Sequence, residues 1–155
     1  MLDQQNHDPL IARIGQRAAA LYEEGLCCSE AIFLAVTEAL GQDPQAMRSL
    51  VPLASGLCGG MGNRNATCGV FTGGAMALGW LMGQTSAQDK DKITRTLTAR
   101  FQERLLAEAG ALRCQDLLDH FGPIRNLGKR MCRRLTSQGA EVLARTILEA
   151  QTPAT

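Results

Sequence analysis

The chain has 155 residues, the usual size of one domain and long enough for a single sizeable core. Its 16 basic and 15 acidic side chains nearly cancel, so it lacks the basic excess typical of nucleic-acid binders, and we expect no nucleic-acid partner. With one Trp, one Tyr and four Phe, the core is left to Ala, Leu, Ile, Val and Met. Because alternating β-branched runs are also absent, we predict an all-α protein.

The N-terminal residues carry neither a basic nor an apolar segment, so no signal peptide is evident and a cytoplasmic location is expected. Residues 65–88 form an uncharged run long enough to span a bilayer. Their glycines and polar residues, without a flanking aromatic belt, favour a buried helix of a soluble protein over a membrane helix. In a reducing compartment structural disulfides are disfavoured, so six cysteines indicate metal binding, catalysis or simple burial.

Proline and glycine mark the predicted helix boundaries. Asp-Pro pairs at residues 8–9 and 43–44 predict helix starts, and Gly25, Gly41 and Gly110 predict helix ends. The first predicted helix covers residues 9–24, and a second follows residues 27–30 and is stopped by Gly41. Further helices are predicted at 44–57 with a kink at Val51-Pro52, 66–82, 88–109 and 136–150, with a short turn at Cys114, a linker at 83–88 and a loop at 120–128.

The stretch from residue 57 to 83 is the predicted centre of the fold. A glycine-rich turn leads through Cys68 into an apolar run of small residues that contains no Asp, Glu or Lys. We therefore predict a single compact multi-helix bundle around a buried, small-residue-rich central helix. The domain is expected to span residues 9–151 after a flexible tail at 1–8. Small-residue faces of this kind would also allow a homodimer.

The cysteines are dispersed, and no two form a C-x-x-C motif, so their spacing alone identifies neither zinc, nor a ferredoxin-type cluster, nor a thioredoxin-like motif. Cys28, Cys68 and Cys114 each precede a predicted helix or helical turn, where free backbone N–H groups lower the pKa of a thiol. Cys132 lies in the run KRMCRR at 129–134. Its four cations indicate either a stabilised thiolate or a solvated basic surface.

The glycine-rich turn predicts a second property of the site. Gly59, Gly60 and Gly62 allow positive φ and a close approach of the backbone to whatever lies over the turn. Successive N–H groups in such a loop can donate to sulfides or to an anion. Cys58 opens the turn ten residues before Cys68, and it is interpreted as an additional ligand, a resolving thiol or a passive substitution.

Together these motifs carry a family resemblance. CSEA beginning at Cys28, GGMG at 59–62 and CGVFTG beginning at Cys68, followed by single Cys114 and Cys132, resemble the redox-active family named C_GCAxxG_C_C after its cysteines. The resemblance covers about residues 15–150. Related domains occur in split-Soret cytochromes, where a cysteine-bound iron–sulfur centre accompanies haem. This chain has no C-x-x-C-H motif, so covalent haem is not implied.

The resemblance implies that the four family cysteines are Cys28, Cys68, Cys114 and Cys132, whereas Cys27 and Cys58 depart from the family pattern. The first hypothesis is a redox protein in which these four thiols bind an iron–sulfur cluster for electron transfer with a partner protein. Cys58 is a further candidate ligand, and the backbone of Gly59 and Gly60 is a candidate part of the cofactor site.

Three alternatives stay open. One is a metal-free thiol–disulfide oxidoreductase using Cys58 with Cys68, or Cys27 with Cys28, the latter less favoured because adjacent cysteines form a strained disulfide. Another is a zinc or Cu(I) protein on the same thiols. The last is a helical domain with passive buried cysteines. The sequence thus indicates a redox role, with the chain as a candidate oxidoreductase component.

Overall fold

A computed structural model of the chain describes residues 7–41, 43–89 and 92–152. Over these ranges the protein is helical and contains no strand, which confirms the predicted all-α class. Seven helices of seven or more residues form it: α1 (Asp8–Glu23), α2 (Cys28–Leu40), α3 (Pro44–Leu50), α4 (Gly69–Met82), α5 (Ile93–Ala109), α6 (Cys114–Phe121) and α7 (Arg130–Gln151). The connections include two 3-10 helices, Val51–Leu57 and Leu127–Lys129, and a short turn at Cys58–Met61.

Both Asp-Pro pairs lie at helix starts, but the Asp residue has a different position in each. The Asp43 carboxylate caps α3 by accepting hydrogen bonds from the N–H groups of Gln45 and Ala46, at 3.0 and 3.2 Å. Asp8 is instead the first residue of α1, whose N-cap is His7. Residues 1–6 of the predicted N-terminal tail lie outside the described part of the chain.

Helix α4 begins at Gly69, three residues later than predicted, because the chain before it is held by the segment that precedes α6. The Cys68 N–H donates to the Leu112 carbonyl at 2.8 Å, and the Cys114 N–H donates to the Ala66 carbonyl at 3.0 Å. Helix α5 begins at Ile93, whereas the prediction put its start near residue 88. Residues 90 and 91, between these two positions, lie outside the described ranges.

The largest difference from the predicted boundaries concerns α7, which begins at Arg130 and not near residue 136. Asn126, four residues before the helix, supplies the missing start signal. Its side-chain oxygen accepts hydrogen bonds from the N–H groups of Met131 at 2.9 Å and Cys132 at 3.2 Å. The basic run is therefore helical, and Cys132 lies in the first turn of α7.

Helix α2 is the most deeply buried element, with every residue from Ala31 to Thr37 buried. The small-residue helix α4 packs along it, as its composition predicted. A Cβ atom added at Gly73 would lie 2.5 Å from the carbonyl oxygen of Ser29, so the two backbones are in direct contact. Towards its C-terminus α4 reaches the surface, where Trp80 is 52% exposed. Helices α1 and α7 also pack against α2 and against each other.

None of the helices in the described ranges has the length and apolar character needed to cross a membrane.

Candidate cysteine redox site

All six cysteines line one cavity of about 710 Å³. They come from five positions along the chain, at residues 27–28, 58, 68, 114 and 132, and the fold brings them to one cavity. Cys27 and Cys58 are joined by a disulfide, and the four others are free thiols. The free thiols are Cys28, Cys68, Cys114 and Cys132.

Each free thiol lies at the N-terminus of a different helix. Cys28 and Cys114 are the first residues of α2 and α6, Cys68 is the N-cap of α4, and Cys132 is the third residue of α7. Cys68 is buried and the other three are half-buried. Four helix starts thus border one cavity with their positive dipole ends, an arrangement that favours bound anionic charge, although at α7 the N–H groups of Met131 and Cys132 are bonded to Asn126.

The glycine turn, residues 58–62, is left-handed. The φ angles of Gly59, Gly60, Met61 and Gly62 are +58°, +59°, +58° and +86°, which confirms the predicted positive φ of all three glycines. The Gly62 N–H closes the turn on the carbonyl of Cys58 at 2.8 Å. The Gly59 N–H donates to the sulfur of Cys28, so the turn contributes backbone directly to the cavity.

Two glycines also make room for the cysteines. A Cβ atom at Gly60 would lie 2.7 Å from the Cβ of Cys114, and one at Gly69 would lie 2.5 Å from the sulfur of Cys28. Real Cβ atoms do not approach other atoms this closely, so a side chain at either position would displace a cysteine. The close approach predicted for Gly60 is therefore present, and Gly69 serves the same purpose on α4.

Cys28 is the thiol prepared to ionise. Cys68 donates a hydrogen bond to its sulfur, and together with the N–H groups of Gly59 and Ser29 this lowers the pKa of Cys28 from 9.0 to about 6, against the opposing effect of burial. The same hydrogen bond, with burial and the negative charge of Cys28, raises the pKa of Cys68. One proton is thus held between these two sulfurs.

The expectation of a lowered pKa at the helix starts holds for Cys28 and is wrong for Cys68 and Cys114. The pKa of Cys132, for which a thiolate stabilised by cations was one of two interpretations, is also raised. Burial is the largest cause of the raised pKa of Cys114 and of Cys132, and the negative charge of Cys28 raises both pKa values further. Arg64 offsets part of the effect on Cys114. Burial and repulsion from the Cys28 sulfur therefore disfavour the two thiolates, and a bound cation would offset this penalty.

The basic run around Cys132 contributes less charge to the cavity than its composition suggested. Arg133 forms an ion pair with Glu23, and of the four cations in the run only Lys129 lines the cavity. Uncharged neighbours hold the Cys132 sulfur. Asn126 Nδ2 lies 3.5 Å from it, and the Tyr22 hydroxyl is hydrogen-bonded to it, while burial and the nearby sulfurs raise the pKa of Tyr22.

The disulfide joins neither of the pairs considered from the sequence. Cys58 bonds to Cys27, with the two Cα atoms 5.9 Å apart, and neither Cys58/Cys68 nor Cys27/Cys28 is bonded. Cys58 and Cys68 are close in sequence, but Cys68 is turned towards Cys28. Tyr22 and Asn126 are site residues that the sequence analysis did not select, and Cys27 was considered there only as a partner of Cys28. Only Cys27 had a local signal, its position next to Cys28.

The spacing of the free thiols bears on which metal they suit. A single zinc ion bound at about 2.3 Å by each of four thiolates would put the sulfurs roughly 3.8 Å apart. No three of the free cysteines have their sulfurs within 4.8 Å of one another. Among the described residues only Cys27, Glu30 and Cys58 form such a group, and two of its sulfurs are bonded to each other. In this arrangement the four free thiols do not form a ready-made tetrahedral site for one ion.

Comparison with known proteins agrees with this chemistry. Residues 26–146, which include all six cysteines, match the model of the family described as "Putative redox-active protein (C_GCAxxG_C_C)". The chain belongs to this family. In this member of the C_GCAxxG_C_C family, the four free thiols of the cavity are the cysteines that the sequence resemblance assigned to the family pattern, Cys28, Cys68, Cys114 and Cys132. No curated protein and no solved structure matches the chain.

Proposed function

We propose that this protein binds an iron–sulfur cluster through Cys28, Cys68, Cys114 and Cys132 and transfers electrons to or from a partner protein. The observation that carries the proposal is the convergence of these four free thiols, from four helix N-termini, on one cavity with a spacing too wide for a single tetrahedral ion. When bound, the cluster would supply a one-electron redox centre.

The residues around the cavity have properties that such a centre needs. The Gly59 N–H donates to the Cys28 sulfur and the Val70 N–H donates to the Cys68 sulfur. Hydrogen bonds of this kind stabilise the anionic form of a sulfur ligand and help to set its reduction potential. Arg64 and Lys129 line the cavity and can balance part of the thiolate charge. Ionisation of all four thiols is unfavourable without a cation, which supports a metal-bound resting state.

The test is anaerobic purification of the full chain, followed by ultraviolet–visible spectroscopy and analysis of iron and acid-labile sulfide. We expect both elements, and we expect Cys28→Ser, Cys114→Ser and Cys132→Ser to lose most of them. The matched controls are Cys27→Ser and Cys58→Ser, which change cysteines of the same cavity outside the proposed ligand set and should retain iron. Absence of iron and sulfide after reconstitution would overturn the proposal, as would equal loss from the controls.

The same samples test the zinc and Cu(I) alternative, which would appear as stoichiometric metal without sulfide. A cytoplasmic location and a homodimer stay predictions of this proposal. Size-exclusion chromatography with light scattering of the anaerobic protein would test the homodimer.

A further inference from the structure

The disulfide between Cys27 and Cys58 is separate from the proposed ligand set yet faces the same cavity. Cys27 immediately precedes the ligand candidate Cys28, and Cys58 immediately precedes Gly59, whose N–H donates to the Cys28 sulfur. Both half-cystines are half-buried, so the bond is not enclosed in the core. Two redox-capable groups therefore adjoin one another at this end of the bundle.

A buried hydroxyl is close to both sulfurs of the disulfide. The Ser29 Oγ is 3.3 Å from the sulfur of Cys27 and 3.3 Å from the sulfur of Cys58. Its hydrogen is donated to the Ala54 carbonyl at 2.8 Å, so its lone pairs are available to the sulfurs. If the bond opens, each sulfur gains a proton and needs an acceptor, and the Ser29 Oγ is within reach of both.

The backbone on both sides of the bond is held by contacts that do not depend on it. The Cys27 N–H donates to the Glu30 carboxylate at 2.9 Å, and Glu30 also accepts from the Ser55 hydroxyl at 2.5 Å. The Cys58 carbonyl accepts from the Gly62 N–H at 2.8 Å. Opening the disulfide would therefore leave the two cysteines facing each other and ready to close again.

From this geometry we propose that Cys27 and Cys58 form a second redox site, a reversible dithiol–disulfide pair that exchanges with the dithiol or disulfide of a substrate. It goes beyond the electron-transfer role proposed above and stands without it. The substrate class is a vicinal or near-vicinal dithiol, carried by a partner protein or by a small molecule.

The exchange balances without a further oxidant or reductant. One thiolate of the substrate dithiol attacks a sulfur of the Cys27–Cys58 bond, forms a mixed disulfide and releases the other cysteine as a thiolate, which takes a proton. The second substrate thiolate then attacks the mixed disulfide and releases the remaining cysteine. The substrate ends as a disulfide, and Cys27 and Cys58 end as two thiols, having gained two electrons and two protons.

The test equilibrates the anaerobic full-length protein in mixtures of lipoamide and dihydrolipoamide, traps the thiols by acid and alkylation, and locates the labels by peptide mass spectrometry. We expect Cys27 and Cys58 to gain and lose their labels together as a single two-electron step, reversibly. A second arm replaces the small dithiol with a reduced dithiol protein at the same poise, and faster exchange there would identify a protein substrate.

The matched controls are the single variants Cys27→Ser and Cys58→Ser, in which the remaining cysteine should be labelled in every mixture. Serine at position 27 is a favoured N-cap, so α2 should still form. A bond that stays closed in every mixture would show a structural disulfide and overturn the inference, and thiols that stay open in every mixture would also overturn it. Iron and sulfide, measured on the same samples, report separately on the proposed cluster, because paired labelling is scored whether or not iron is present.

Discussion

The helical scaffold and the cysteine cavity are built from different backbone conformations. The scaffold, formed by α1, α2 and α7, contains no residue with positive φ. Three non-glycine residues of the described chain have positive φ, namely Met61, Arg64 and Lys129. Arg64 and Lys129 line the cavity, and Met61 lies within the glycine turn that borders it.

Strained backbone lies beside the cavity and not in the scaffold. Each left-handed non-glycine residue costs about 1–2 kcal/mol, a cost that persists only where the surrounding structure holds the conformation. The scaffold buries Ile14, Leu21, Leu143 and Ile147 with local helical geometry, so it can support strained segments beside it. These strained segments bring together backbone N–H groups and sulfurs that no single helix could bring together.

The first prediction tests the electrostatics of the cavity and has the largest expected effect. Cys68→Ala removes the hydrogen bond to Cys28, so the pKa of Cys28 should rise from about 6 towards 9.0. In the metal-free protein the thiolate forms as pH rises through the pKa, and the variant should therefore need a higher pH. We expect at least about a tenfold decrease in the ionisation constant. Ultraviolet absorbance of the thiolate against pH measures it.

Cys68→Ser is the matched control for this titration, because its hydroxyl retains a hydrogen-bond donor and the pKa of Cys28 should rise less. Cys28→Ser removes the titrating thiol, so the step in thiolate absorbance that disappears in this variant belongs to Cys28. An unchanged titration midpoint in Cys68→Ala would show that Cys68 does not hold the Cys28 thiolate.

The second prediction separates strain from contact within the glycine turn. Gly59 and Gly60 have nearly the same φ, but a Cβ would meet nothing within 4 Å at Gly59 and would lie 2.7 Å from Cys114 at Gly60. Gly59→Ala should cost about 1 kcal/mol of unfolding free energy from backbone strain alone. Gly60→Ala should cost roughly 1–3 kcal/mol more because the turn must move away from Cys114.

Urea denaturation of both metal-free variants measures this difference. Iron content after reconstitution gives a second measurement, in which Gly60→Ala should fall well below Gly59→Ala. Equal stability and equal iron content in the two variants would mean that the close approach to Cys114 is not needed.

The third prediction relieves strain in the turn and has the smallest expected effect. Met61 has φ +58° and is 62% exposed, so replacing it removes little packing. Asn tolerates the left-handed conformation, and Met61→Asn should raise the free energy of unfolding by about 0.5–1 kcal/mol. Leu53→Asn is the control, since Leu53 is 65% exposed and has no positive φ. A loss of stability in Met61→Asn by thermal denaturation would contradict the strain argument.

Much of the fold could be predicted because its signals are local. The Asp43 cap, the Gly41 and Gly110 helix ends and the change to a 3-10 helix at Val51-Pro52 all depend on residues close in sequence. The start of α7 could not be read this way, because its cap comes from Asn126, at a spacing unlike that of an ordinary N-cap. The sequence therefore left Cys132 before the predicted last helix, when it lies in the first turn of α7.

The amino-acid sequence by itself determined the helical class, most helix ends and the left-handed capacity of the glycine turn, and it offered four dispersed cysteines as candidate ligands. The tertiary structure alone decided that these cysteines meet in one cavity, that Cys58 bonds to Cys27, and that Cys28 has a lowered pKa while Cys114 and Cys132 have raised ones. The physical reason is the distance along the chain over which each interaction acts. Caps and turns are set within a few residues, whereas burial, repulsion between sulfurs and disulfide pairing depend on distances between segments remote in sequence.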